Sequence, residues 1–145
     1  MSRVNAKKIR ILLVDGHSVF REGLAARLNK EKNFAAVAER ADSDSMEELI
    51  RRHNPVVLVY DIREDAMQEF RAMKEIKEKF NAAISVIAFS DIRSEAAVRD
   101  FIRLGGSGYL LKTCPVEECI KAIREAVHGK KFFSQELMEE IFSGK

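Results

Sequence analysis

No tryptophan occurs among the 145 residues, only two cysteines do, and no apolar run approaches the length needed to span a bilayer. Cys114 and Cys119 are five positions apart. That spacing matches neither a Cys-x-x-Cys redox pair nor a zinc site, so free thiols in a reducing compartment are expected. The first residues lack the apolar stretch of a signal peptide. Charge of one sign is missing as well: 25 basic against 23 acidic residues leave +2, too balanced to argue for nucleic acid or an anionic membrane surface. The slight basic excess at Arg3, Lys7, Lys8 and Arg10 reads as a solvated tail. A cytoplasmic chain with no membrane partner is the expectation. No helix-turn-helix or basic recognition stripe argues for DNA contact within these residues.

What is present is four apolar runs, each ending at one polar residue. Ile-Leu-Leu-Val precedes Asp15, Val-Val-Leu-Val-Tyr precedes Asp61, Val-Ile-Ala-Phe precedes Ser90, and Gly-Tyr-Leu-Leu precedes Lys112. Short continuous apolar runs between helix-period segments read as strands of a parallel sheet buried on both faces. The carboxyl ends of such strands share one edge, and ligands bind there. A weaker strand runs from Phe34 to Glu39. Helices follow each strand: Phe20, Leu24 and Leu28 behind a Ser18 cap; Met46, Leu49, Ile50 and His53 behind Asp42 or Ser43; Met67, Phe70, Met73, Ile76 and Phe80. Ala97, Val98, Phe101 and Ile102 form the next, closed by Gly105 as a left-handed cap. Val116, Cys119, Ile120, Ile123 and Val127 stripe the last, with Pro115 in its first turn. Five strand-then-helix units predict an α/β fold, a doubly wound five-stranded parallel sheet flanked by five helices. Residues 1–128 would be the domain. Residues 129–145, with Phe132, Phe133, Leu137, Met138, Ile141 and Phe142, would be a linker or short helix capped by Ser134. That tail either packs on the domain or leads to an output domain beyond this chain.

A lone aspartate at a strand end is usually a helix cap or a surface charge, and a lone lysine is usually solvated. Their joint placement carries more. The stretch Ile-Leu-Leu-Val-Asp-Gly-His-Ser-Val-Phe-Arg-Glu-Gly-Leu ending at Leu24, and Gly-Tyr-Leu-Leu-Lys-Thr-Cys-Pro over 108–115, resemble receiver (CheY-like) domains of two-component response regulators over residues 9 to 128. The similarity is to the NarL/FixJ branch, whose members usually add a LuxR-type helix-turn-helix. The resemblance implies the sheet order 2-1-3-4-5 and a phosphorelay protein in which Asp61 takes a phosphoryl group from a histidine kinase. Asp15 would position Mg²⁺ together with Asp61 and the backbone carbonyl of Arg63. Ser90 would bond the phosphoryl group, Tyr109 would be the aromatic switch residue beside Ser90, and Lys112 would contact the phosphoryl oxygens. Partners implied are the kinase, a second copy of the chain, and DNA only through an output domain. Self-phosphorylation and autodephosphorylation are the only enzymatic steps implied. His17 and His53 read as local contacts, and His128 falls in the last turn of its helix.

Two departures from the family pattern stand out. Gly16 occupies the place of the second acid, which removes a hard oxygen ligand and a charge from the Mg²⁺ site. The loop Ile62-Arg63-Glu64-Asp65-Ala66-Met67-Gln68-Glu69 lacks the family's Met-Pro and its later glycine. Two readings remain open. Either Glu64 or Asp65 supplies the missing carboxylate and Asp61 is phosphorylated, or the chain is a pseudo-receiver that works by protein interaction. A dehalogenase-like phosphatase would need an aspartate where Arg63 stands, and a flavodoxin-like protein would need a richer phosphate loop than Gly16-His17-Ser18.

Overall fold

Alternation along the apolar runs decides how the layers stack. In the computed structural model, which describes residues 8–15, 18–40, 46–62, 66–80 and 83–142, the chain runs β1 (Ile9–Val14), α1 (Ser18–Leu28), β2 (Phe34–Glu39), α2 (Met46–His53), β3 (Val57–Ile62) and α3 (Ala66–Lys79). It continues through β4 (Ser85–Ser90), α4 (Glu95–Arg103), β5 (Gly108–Leu111), α5 (Val116–Ala126), β6 (Phe132–Phe133) and α6 (Gln135–Phe142). All strands pair parallel in the order β2-β1-β3-β4-β5-β6. Ile11, Leu13, Val57, Val59, Ile87, Phe89 and Leu110 pack with α1 and α5 through Leu28, Cys119, Ile120 and Ile123. Their neighbours Leu12, Val14, Leu58, Tyr60, Val86, Ala88 and Tyr109 pack with α2, α3, α4 and α6 through Leu49, Phe70, Val98 and Leu137. Both faces of each central strand are therefore apolar, which is why these segments read as continuous hydrophobic runs.

The sequence predicts five strands and five helices; the structure has six of each among the described residues. The additions come from the tail. After α5 the chain turns at Gly129, whose φ is +76°, and returns beside β5, pairing Gly108 with Phe132 and Tyr109 with Phe133. Ser134 is fully buried, and its hydroxyl accepts from the Leu111 N–H at 3.2 Å. Leu137 is fully buried in the α4-side core. A two-residue strand is too short to show a period of two, so only the helix had a pattern to read. Val127, expected on the apolar stripe of α5, lies past the helix end and is 39% exposed.

The helix ends follow their capping chemistry. Ser94 caps α4, its side chain accepting from the Ala97 N–H at 3.2 Å. At the other end Gly105 adopts φ +94°, and Gly106 N–H bonds the Phe101 carbonyl while Gly105 N–H bonds that of Ile102. That is the Schellman pattern the glycine predicts. Pro115 stands one residue before α5, at its N-cap, rather than inside the first turn. The caps expected at Asp42 and Ser43 lie outside the described residues.

Candidate functional site

Three of the four polar strand ends meet. Asp15 follows β1 directly, Asp61 is the penultimate residue of β3, and Lys112 follows β5 directly. The Lys112 ammonium lies 3.1 Å from Asp15 Oδ2 and 2.8 Å from Asp61 Oδ1. Asp15 is 6% exposed and Asp61 4% exposed, so both carboxylates are held largely out of water. Burial alone would lower the Lys112 pKa; the hydrogen bonds to Asp61 and Asp15 outweigh it and raise the value above that of an ordinary lysine. The ammonium stays charged because its two counter-ions are fixed by separate strands.

Ser90 ends β4, one strand over, and does not join them. Its hydroxyl donates to the Ile62 carbonyl at 2.8 Å and accepts from the Ile92 N–H at 2.9 Å. Strand parity accounts for the separation. Asp15, Asp61 and Lys112 continue the rows Ile11-Leu13, Val57-Val59 and Leu110, which face α1 and α5. Ser90 continues Val86-Ala88, which face α4. Tyr109 shares that second face, fully buried, its ring edge-on to Phe101 at 5.7 Å and its hydroxyl donating to the Ile92 carbonyl at 2.8 Å. Burial pushes the Tyr109 phenol above its usual range, and the nearby Ser90 hydroxyl offsets part of the effect. The site is thus two linked groups: a charged cluster on the α1 side, and a Ser90–Ile92–Tyr109 group on the α4 side.

Two residues of α1 belong to the cluster and are not marked by sequence reasoning. Phe20 lies under the Lys112 ammonium, with Nζ 5.1 Å from the ring centre, and packs edge-on against Phe89 at 5.3 Å. Arg21 donates from Nη1 to the Asp15 carbonyl at 2.6 Å, holding the end of β1. Phe20 is legible as a member of an apolar stripe; its contact with a lysine 92 positions later is not. His53 makes the local contact expected of it, with Nε2 2.7 Å from Glu39 Oε2.

Convergence of two carboxylates on one ammonium shows that they could also share a small hard cation. Mg²⁺ is commonly held by one or two carboxylates with waters completing its octahedron, so Asp15 and Asp61 fit as its anionic ligands. No group of three or more metal-ligating side chains occurs among the described residues. Gly16, His17, Arg63, Glu64 and Asp65 lie outside the described residues.

A parallel sheet in the order 2-1-3-4-5, with two buried acids and a lysine at its carboxyl edge, has a match over most of its length. The response regulator receiver domain family matches residues 11–124. The chain belongs to the response regulator receiver domain family. Among curated proteins this receiver is 28% identical over 139 residues to the transcriptional regulatory protein DegU of Brevibacillus brevis, covering 96% of this chain and 58% of that one. It is 26% identical over 133 residues to the nitrate/nitrite response regulator NarL of Escherichia coli, covering 92% and 61% respectively. A solved LuxR-family two-component response regulator from an Aurantimonas species superimposes with a TM-score of 0.84 at 27% identity, covering 95% of this chain and 98% of that one. The receiver spans about three fifths of the length of these curated relatives. None of the described helices is long and apolar enough to cross a membrane.

Proposed function

We propose that this receiver accepts a phosphoryl group on Asp61 from the phosphohistidine of a histidine kinase. The observation that carries the reading is the Lys112 ammonium bridging Asp15 and Asp61, both nearly buried, at the carboxyl edge of the sheet. A carboxylate oxygen of Asp61 attacks phosphorus, the new P–O bond forms as the P–N bond breaks, and the imidazole departs with the electron pair. Lys112 remains beside the phosphoryl oxygens and offsets their charge. Ser90, one residue-pair away in the β3–β4 register, supplies a hydroxyl from the neighbouring strand end once it gives up the Ile62 carbonyl. Tyr109, bonded to the Ile92 carbonyl, carries that change toward α4.

Asp15 and Asp61 would hold Mg²⁺, with the Arg63 carbonyl and Glu64 or Asp65 as further ligands; when bound, the ion supplies positive charge to a phosphoryl group whose negative charge is spread over three oxygens. On this reading residues 1–128 hold the phosphoryl-handling parts of the receiver, and the tail 129–145, whose β6 and α6 pack on it, lies between them and an output region. The relative DegU, named as a transcriptional regulatory protein, supports an output in transcription, reached through a second copy of the chain and DNA contact outside these residues, in the cytoplasm. One observation favours a second reading. Gly16 stands where the family pattern has an acid, which suits a pseudo-receiver acting by protein interaction without phosphoryl chemistry. Incubation with acetyl phosphate and Mg²⁺ followed by peptide mapping separates the two: an adduct on the Asp61 peptide supports the acceptor, and its absence supports the pseudo-receiver.

A further inference from the structure

The two loops leaving Ser90 and Lys112 are held by one carboxylate that is not part of the site. Arg93, three residues after Ser90, pairs through Nη1 with Glu136 at 3.0 Å and with Glu140 at 2.5 Å. Thr113, directly after Lys112, donates its hydroxyl to the other oxygen of Glu136 at 2.9 Å. The Thr113 hydroxyl and Arg93 together hold the Glu136 carboxyl below its ordinary pKa. Glu136 lies on α6, the helix whose seat on the domain is fixed by buried Leu137. The seat is incomplete: a groove of about 230 Å³ remains between α4 and α6, lined by Val98, Ile102, Phe133, Met138 and Ile141. The helix therefore rests partly on its polar contacts to the two loops.

We propose that Glu136 couples occupancy of the Asp61 site to the seating of α6, with α6 seated as here favouring the unmodified site. The inference rests on the acceptor reading of Asp61 and adds a positioning residue to it. The chain of contacts is short. For the Ser90 hydroxyl to donate to a group on Asp61 it must leave the Ile62 carbonyl, and the Ile92 N–H that bonds the same hydroxyl moves with it. Ile92 is bonded to Tyr109 on one side and joined to Arg93 on the other. A shift of Lys112 toward phosphoryl oxygens draws on Thr113. Both displacements pull on Glu136 at once, so occupancy of the site loosens its hold on the two loops. Coupling of this kind is reciprocal: whatever loosens α6 on ligand binding must strengthen ligand binding when α6 is loosened by mutation. Arg93, Glu136 and Glu140 have side chains 37%, 50% and 46% exposed, which places the effect at the low end of such couplings.

The test uses the phosphoryl mimic beryllofluoride with Mg²⁺ on the full chain, reading its affinity by fluorine NMR and amide hydrogen exchange over residues 135–142. Beryllofluoride is expected to speed exchange in α6 by about five-fold, and Glu136→Gln to tighten beryllofluoride affinity by about five-fold. Glu139→Gln is the control. It lies on the same helix, paired only within it to Gln135 at 3.4 Å among the contacts seen, and should match wild type in both readouts. Affinity is a readout that a merely structural role for Glu136 leaves unmoved. Beryllofluoride binding with unchanged α6 exchange, or with equal affinity in Glu136→Gln and wild type, overturns the coupling and leaves the acceptor reading standing. Absence of beryllofluoride binding to wild type overturns both.

Discussion

Asp15 and Asp61 share one ammonium, so these three groups carry two negative charges and one positive in a nearly water-free place. Such crowding of two like charges costs stability and is useful only if another cation comes to share it. Asp61→Asn keeps the shape and removes one of the two carboxylate charges crowded on the Lys112 ammonium. It is expected to raise stability by about 1 kcal/mol, read as a higher melting temperature; an unchanged or lower value contradicts this account of the cluster. The cysteines make a second prediction. Burial pushes the Cys119 thiol up to about 12, and burial with the nearby Glu118 charge does the same for Cys114. The folded pKa is raised above the unfolded one, so the contribution is complete below about pH 8.5 and is lost as pH climbs toward 12. Denaturation between pH 8 and pH 11 should show stability falling with pH in wild type and falling less steeply in Cys119→Ala. A thiol reagent at neutral pH should leave both cysteines unmodified in the native chain.

Among the elements, α4 and β5 are joined at Gly106 by packing that leaves no room for a side chain. A Cβ on Gly106 would lie 2.1 Å from the Phe101 ring, and that ring packs on both Phe70 and Tyr109. Gly106→Ala is expected to cost about 2 kcal/mol and to move Tyr109, giving a lowered melting temperature together with shifted Tyr109 ring signals in NMR. A neutral substitution would show that α4 yields where the packing says it cannot. Five strands and their helices are legible in the sequence because each central strand is apolar on both faces and each helix follows a helical period. Reading the four polar strand ends as one cluster overlooks two-residue alternation, which puts Ser90 on the Ala88 side of the sheet rather than the Phe89 side. β6 is not legible, because two residues carry no period and its partner β5 is distant in cause though near in space. The roles of Phe20 and Arg21 are hidden for the same reason: contacts with Lys112 and the Asp15 carbonyl arise only when α1 folds back across the strand ends.

At the scale of the molecule, the charged cluster faces the α1 and α5 layer, while the Ser90–Tyr109 group faces α4 and leads to α6. Chemistry at Asp61 and any response in the tail therefore lie on opposite faces of one sheet, joined at its carboxyl edge. The receiver spans about three fifths of the length of these curated relatives, and α6 is the last described element of the chain. Everything in this arrangement depends on Asp61 being a nucleophile despite Gly16 beside Asp15. The most direct measurement is the intact mass of the wild-type chain and of Asp61→Asn after incubation with acetyl phosphate and Mg²⁺. A gain of one phosphoryl group in wild type and none in Asp61→Asn is the predicted result; no gain in wild type, or an equal gain in both, would contradict it.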